Sequence, residues 1–171
     1  MIDFYEMRNM VYAKAEELVA LSQEKGLRLT SAESCTGGLV AAALTDIAGS
    51  STVFERGFVT YSNESKVEMI GVSPQTLAAH GAVSAQTARE MAQGALAHSR
   101  ADLAVAITGI AGPGGGSAEK PVGLVHFACA RRGGALVSSE QRFGPLTRAE
   151  IRTLAVLEAL ALLRAGVTGA D

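Results

Sequence analysis

The chain has 171 residues, 48% hydrophobic and 19% charged, a composition that suits one folded domain over residues 1–171 and excludes a disordered chain. Its net charge of −2 argues against a nucleic-acid partner, since such proteins need a positive face. Neither the two separated cysteines nor the three dispersed histidines have metal-ligand spacing, so no metal or disulfide framework is predicted. Without a long apolar run, we expect no membrane span and a cytoplasmic location.

Hydrophobic periodicity and turn residues predict alternating helices and strands over most of the chain. Gly26 and Gly71 are predicted to end helices, and Thr147 with Glu150 forms a capping-box pattern. The predicted elements are, in order, a helix at 8–24, a strand at 27–32, a helix at 39–49, a strand at 53–61, helices at 62–71, 73–81 and 84–100, a strand at 101–109, an antiparallel pair at 122–130 and 135–143, and a helix at 147–166.

This order of elements favours an α/β fold. Early strands separated by helices, followed by a late hairpin, predict a mixed sheet with helices on both faces. The strand "ADLAVAITG", 101–109, is almost continuously apolar, which is typical of a central strand covered on both faces. Since no repeat or long linker divides the chain, the prediction is a single domain.

Three polar or glycine-rich turns follow three of the predicted strands, at 33–38, 61–66 and 108–116. In open α/β sheets, ligands bind beyond the carboxyl ends of parallel strands. If these three strands are parallel, the three turns lie together at one edge of the sheet. The sequence therefore predicts a binding site at that edge.

The first turn, "ESCTGG", has three candidate nucleophiles: Ser34, Cys35 and Thr36. A hydroxyl at a helix start lies among backbone N–H groups that can stabilise an oxyanion, and glycines allow a substrate to approach closely. The alternative is that Ser34 or Thr36 only caps the helix. Cys35 is predicted to be a small buried residue.

A serine nucleophile needs a base, and Lys66 in the second turn is the best-placed candidate. A buried lysine of lowered pKa can take the serine proton, whereas a solvated helix lysine cannot at neutral pH. Local sequence alone favours the solvated lysine. His80, His98 and His126 lie in or after predicted helices or within a strand, and we interpret them as structural.

The third turn, "TGIAGPGGG", is rich in glycine but lacks the Gly-Lys-Ser/Thr of a P-loop. It is not a dinucleotide-binding fingerprint either, because no helix follows it. Two alternatives remain open, a substrate-binding loop and a flexible surface connection.

Four long motifs together resemble one known family. They are "TSAESCTGGLVAAALTDIAGSS", "FERGFVTYSNESKVEMIGV", "HGAVSAQTAREMAQGAL" and "ITGIAGPGGGSAEKPVG". They are similar to the C-terminal domain of the competence/damage-inducible protein CinA, above all to its stand-alone amidohydrolase form. The resemblance covers about residues 28–165, nearly the whole chain.

The resemblance implies a three-layer α/β/α sandwich with a mixed, roughly five-stranded sheet. It implies hydrolysis of the carboxamide of nicotinamide mononucleotide, giving nicotinate mononucleotide and ammonia, without metal or cofactor. It also implies a small-molecule nucleotide substrate and a homodimer. The implied nucleophile is Ser34, the implied base is Lys66, and Tyr61 is a further catalytic candidate.

The remaining implied site residues are oxyanion or substrate contacts. They are Thr36, Gly37, Gly38, Thr108, Gly109 and Arg148. The family's Phe-x-Gly-x-Arg pattern is altered here to "RFGPLTR", in which Arg148 is the counterpart that could bind the nucleotide phosphate. Two other functions remain open: a catalytically silent nucleotide-binding module of the family, and an amidase for another pyridine or purine nucleotide.

Overall fold

The computed structural model describes residues 3–169, which form six helices and five strands in the predicted order. The helices are α1 (Phe4–Lys25), α2 (Leu39–Thr45), α3 (Asn63–Ile70), α4 (Pro74–His80), α5 (Ala85–Ala97) and α6 (Arg148–Thr168). The strands are β1 (Leu29–Glu33), β2 (Phe54–Val59), β3 (Leu103–Gly109), β4 (Leu124–Arg131) and β5 (Leu136–Arg142).

The strands form one mixed sheet with the order β2-β1-β3-β4-β5. The first three strands of the chain are parallel, whereas β4 and β5 run antiparallel as a hairpin. β3 lies in the centre, and residues 103–108 are buried. The predicted α/β class, mixed sheet and central position of this strand are confirmed.

The two faces of the sheet are packed differently. Large aliphatic residues, including Leu29, Val105 and Ile107, face α1, α2 and α6. The other face presents small side chains to α5, namely Ala32, Ala104, Ala106, Ala128 and Ala130. Because small side chains allow close approach, α5 packs tightly on this face of the sheet.

Two helix boundaries differ by four residues from the sequence prediction. α1 begins four residues early, at Phe4, because Asp3 and Glu6 form a capping box that satisfies the first amides. α2 ends at Thr45 instead of Gly49, and a short 3₁₀ turn follows at Ser50–Thr52. Thr45 Oγ1 donates to the carbonyl oxygens of Ala41 and Ala42, a local bond that competes with helix continuation.

Among residues 3–169, no helix combines the length and apolarity that crossing a membrane would require.

Candidate active site

The turns after β1, β2 and β3 meet at one edge of the sheet. Because the three strands are parallel, Glu33 at the end of β1 lies opposite Val59 of β2 and Ile107 of β3. The chain leaves all three strands in the same direction. The predicted convergence of the polar turns is therefore confirmed.

Ser34 and Lys66 form a buried pair at this edge. Lys66 Nζ lies 3.1 Å from Ser34 Oγ and donates to the carbonyl oxygen of Thr60 at 2.7 Å. Lys66 is only 1% exposed, so its interpretation as a solvated helix lysine is wrong. Burial lowers the pKa of Lys66, because a charged ammonium loses its hydration there. The pair has the arrangement that proton transfer from a serine to a neutral lysine requires.

Local sequence explains how Lys66 reaches the serine. Ser62 caps α3 by accepting a hydrogen bond from the backbone N–H of Ser65, which fixes the start of the helix. Lys66 then lies one turn before Ile70, on the same helical face, and both are buried. The motif "YSNESK" therefore directs the lysine towards the sheet edge.

Cys35, the residue after Ser34, is buried. Its side chain belongs to the core formed with α1, α2 and α6. Burial raises the pKa of the Cys35 thiol to about 11, which disfavours the reactive thiolate at neutral pH. The prediction that Cys35 is a buried residue is confirmed.

The start of α2 is capped by Glu33, so the hypothesis that Ser34 or Thr36 caps it is wrong. The Glu33 carboxylate accepts from the N–H groups of Val40 at 2.9 Å and Ala41 at 3.0 Å. Gly38 is the N-cap residue, with a φ of 100° that favours glycine. The sequence does place an acidic residue ahead of this helix. Glu33 lies farther from the start of the helix than a capping residue usually does, so the pattern does not identify it as the cap.

Backbone hydrogen bonds within the turn reduce the number of candidate oxyanion donors. The N–H of Gly37 donates to the carbonyl oxygen of Ser34 at 3.0 Å and closes the turn. Within residues 3–169, the N–H groups of Thr36 and Gly38 donate to no protein acceptor. Thr36 Oγ1 is buried without a hydrogen-bond partner in the same range. Of the predicted donors, Thr36 and Gly38 thus have amides available to a ligand.

Arg152 of α6 also contacts this turn, and sequence reasoning missed it. Its Nε donates to the carbonyl oxygen of Cys35 at 3.1 Å, and Nη2 donates to that of Thr36 at 3.0 Å. The contact joins positions more than a hundred residues apart, so no local pattern indicates it.

Tyr61 and Arg148 form a second cluster. Arg148 donates from Nη2 to Tyr61 Oη at 3.1 Å and from Nη1 to the carbonyl oxygen of Gly112 at 2.9 Å. The arginine thereby connects the turn after β2 with the glycine-rich loop after β3. Tyr61 is 62% exposed, so this cluster is open to a ligand from solution.

Thr108 and Gly109 lie at the end of β3, beside the first turn. The side chain of Thr108 makes an internal hydrogen bond, and the absence of a side chain at Gly109 allows close packing. Thr108 Oγ1 donates to the carbonyl oxygen of Ala82 at 2.8 Å and is buried. A Cβ at Gly109 would lie 2.7 Å from Val125 Cγ2 and 2.8 Å from the carbonyl oxygen of Leu124. Glycine is therefore needed there for β4 to approach.

Across residues 3–169, no three or more His, Cys, Asp or Glu side chains form a group that could hold a metal ion. His98 Nδ1 lies 2.8 Å from the carbonyl oxygen of Gly94, and His126 is buried on β4. These two positions agree with the structural role predicted for His98 and His126.

The fold and the turns around the Ser34–Lys66 pair match one family. The chain belongs to the CinA C-terminal domain family, whose sequence profile matches residues 11–167. Among solved structures, a competence/damage inducible protein, CihA, from Agrobacterium tumefaciens is 53% identical and superposes with a TM-score of 0.91. That similarity covers 93% of this chain and 96% of the other.

Among relatives, nicotinamide-nucleotide amidohydrolase PncC from Escherichia coli is 58% identical over 134 residues, covering 74% of this chain and 81% of PncC. A competence-damage inducible protein from Caldicellulosiruptor bescii is 51% identical over 149 residues. The chain spans only 36% of the length of that relative, which is therefore a much larger protein.

Proposed function

We propose that this chain is a nicotinamide-nucleotide amidohydrolase that converts nicotinamide mononucleotide and water to nicotinate mononucleotide and ammonia. The observation that carries the proposal is the buried contact of 3.1 Å between Lys66 Nζ and Ser34 Oγ. A serine hydroxyl is a weak nucleophile, and a neutral amine at this distance can activate it. The high identity to PncC from Escherichia coli supports the choice of substrate.

The first half of the reaction forms an ester on Ser34. Neutral Lys66 accepts the hydroxyl proton while Ser34 Oγ bonds to the carboxamide carbon, and the carbonyl oxygen becomes an oxyanion. The available N–H groups of Thr36 and Gly38 donate to that oxyanion. The carbon–nitrogen bond then breaks, and the leaving nitrogen takes the proton from Lys66 and departs as ammonia.

The second half returns the enzyme to its starting state. Lys66, neutral again, takes a proton from water as the water oxygen bonds to the ester carbon. The bond to Ser34 Oγ breaks, and the serine regains its proton from Lys66. The nicotinate carboxyl group loses its own proton to solvent. Each turnover thus consumes one water and releases one carboxylate and one ammonia.

Ammonia release on mixing the protein with nicotinamide mononucleotide tests the function, with the carboxylate product identified by mass spectrometry. The Ser34→Ala variant serves as the matched control and should release none above background. Ammonia from another nucleotide amide, with none from nicotinamide mononucleotide, would contradict the proposed substrate. Binding of the mononucleotide without any hydrolysis would instead indicate a silent binding module.

We expect Arg148 to bind the substrate phosphate. Arginine carries five N–H donors, and the contacts to Tyr61 and Gly112 use only two of them. Arg148→Ala should raise the Michaelis constant for nicotinamide mononucleotide about 10- to 100-fold, the usual effect of losing a charged hydrogen bond. The constant for the riboside, which lacks the phosphate, should change far less.

Steady-state kinetics on both substrates measure this difference, with Arg164→Ala as the matched control. Arg164 lies on the same helix but pairs with Glu17. Equal increases for the mononucleotide and the riboside would remove Arg148 from phosphate binding.

The pH dependence of kcat/KM should follow the ionisation of Lys66. Since only neutral Lys66 accepts the serine proton, kcat/KM should rise with pH up to the pKa of Lys66 and then level off. Burial lowers that pKa, so the midpoint should lie below the ordinary lysine value of about 10.4. A kcat/KM that falls as pH rises from neutrality would contradict the role of Lys66 as a base.

A further inference from the structure

Arg152 of α6 holds the turn at residues 33–38 that contains Ser34. Arg152 lies on the second turn of α6, and its guanidinium binds the carbonyl oxygens of Cys35 and Thr36. A Cβ at Gly37 would lie 3.5 Å from Arg152 Nη2, so the guanidinium packs closely over the glycine. One side chain therefore fixes two consecutive peptide groups, Cys35–Thr36 and Thr36–Gly37.

One of these peptide groups carries a candidate oxyanion donor. The Cys35 carbonyl and the Thr36 N–H belong to the same planar peptide, so fixing the carbonyl also fixes the direction of the N–H. A cationic donor on the carbonyl oxygen also polarises the peptide, which makes its N–H a stronger donor. That N–H has no acceptor within residues 3–169.

The first turn of α2 offers no equivalent source of donors. The Glu33 carboxylate already accepts from the N–H groups of Val40 and Ala41 and places a negative charge at the start of that helix. Charge developing on the substrate oxygen must therefore be stabilised by the turn itself. The N–H of the Cys35–Thr36 peptide is one of the donors of the turn that remain available for this.

We infer that Arg152 is a positioning residue for amide hydrolysis: its guanidinium orients and polarises the Cys35–Thr36 peptide so that the Thr36 N–H stabilises the oxyanion. Arg152 does not touch the substrate in this role. The inference rests on the proposed function, since it assigns a task within that reaction. It predicts an effect on turnover with little effect on substrate binding, because the oxyanion exists only in the transition state and the intermediate.

A groove makes this role testable by chemical rescue. Arg152 lines an open groove of about 490 Å³ between α1, α2 and α6, together with residues such as Arg8, Tyr12 and Leu39. A guanidinium ion from solution can therefore reach the space that Arg152 vacates when it is replaced by alanine.

The experiment compares Arg152→Ala with Arg152→Lys and with Arg164→Ala, the control on the same helix. Arg152→Ala should lower kcat about 100-fold, the usual loss for one oxyanion donor, with a Michaelis constant changed less than about threefold. Guanidinium, far below denaturing concentration, should restore part of kcat, whereas an equal concentration of sodium should not. Arg152→Lys should be intermediate, and Arg164→Ala should match the parent with or without guanidinium.

The labelling rate of Ser34 by a fluorophosphonate gives a second readout that does not depend on the natural substrate. It should fall in Arg152→Ala and recover with guanidinium. Unchanged kcat and labelling in a folded Arg152→Ala protein would overturn the inference and leave the proposed function intact. A parent that labels but does not hydrolyse the mononucleotide would overturn the proposed substrate, while labelling would still decide the role of Arg152. A parent that does neither would overturn both.

If Arg152→Ala fails to fold, Arg152→Lys decides the outcome. Lysine retains the charge but cannot reproduce the geometry in which a planar guanidinium donates to two carbonyl oxygens at once. A folded Arg152→Lys protein with parental kcat and labelling rate would overturn the inference.

Discussion

Replacing Ser34 with alanine or Lys66 with methionine should lower kcat by about 1,000-fold or more in each case. Ser34→Ala removes the attacking oxygen, and Lys66→Met removes the amine that lies 3.1 Å from it. The double variant should be little worse than either single variant, because the two groups act as one unit in the same step. Ammonia release under saturating substrate measures all three rates.

Cys35→Ala is the matched control, because it changes the neighbouring candidate nucleophile. Cys35 is buried in the hydrophobic core, so this variant should keep most of its turnover. A folded, inactive Cys35→Ala protein beside an active Ser34→Ala protein would contradict the assignment and indicate a thiol enzyme.

Both catalytic variants should remain folded, and Lys66→Met should be more stable than the parent at neutral pH. In the unfolded chain Lys66 is protonated at pH 7, whereas burial lowers its pKa in the fold. Between this lowered pKa and the ordinary lysine pKa, unfolding the parent takes up a proton, so its free energy of unfolding decreases as pH falls through that interval. Methionine carries no such dependence. Urea unfolding at several pH values separates this effect from the loss of activity.

The sequence predicted the parts of the molecule that depend on local patterns. Alternating helices and strands indicated a parallel region, and parallel strands place their following turns at one edge. The convergence of "ESCTGG" with "YSNESK" follows from that rule alone. The capping box of Thr147 and Glu150 at the start of α6 follows equally from spacing.

The contacts that fix the turn at residues 33–38 could not be predicted in the same way. The side chain of Glu33 reaches seven residues ahead to Val40, and Arg152 reaches across 117 residues to Cys35. Both depend on how the turn folds back and on where α6 packs. Arg148 and Arg152 are one helical turn apart, and only their packing shows that one meets Tyr61 and the other meets the turn.

The position of Lys66 depends on the close crossing of α3 and α5. Disturbing that crossing should therefore lower kcat strongly. A Cβ at Gly94 of α5 would lie 1.9 Å from the carbonyl oxygen of Ile70, the last residue of α3. Gly94→Ala must therefore push α3 away from α5, and Lys66 lies one turn before Ile70. Because misplacement by about 1 Å can cost about 100-fold in rate, kcat should fall by roughly that factor.

Gly94→Ala should also lower stability, since overpacking costs about 1–3 kcal/mol while alanine regains less than about 1 kcal/mol in helix propensity. Gly166→Ala in α6 is the matched control. Its Cβ would lie 2.5 Å from Leu103 Cδ2, at the start of β3 and hence at the opposite end of the sheet from Ser34. Gly166→Ala should lower the melting temperature and keep the parental kcat, when both variants are assayed well below their melting temperatures. If Gly94→Ala also kept the parental kcat, the crossing of α3 and α5 would not set the distance between Lys66 and Ser34.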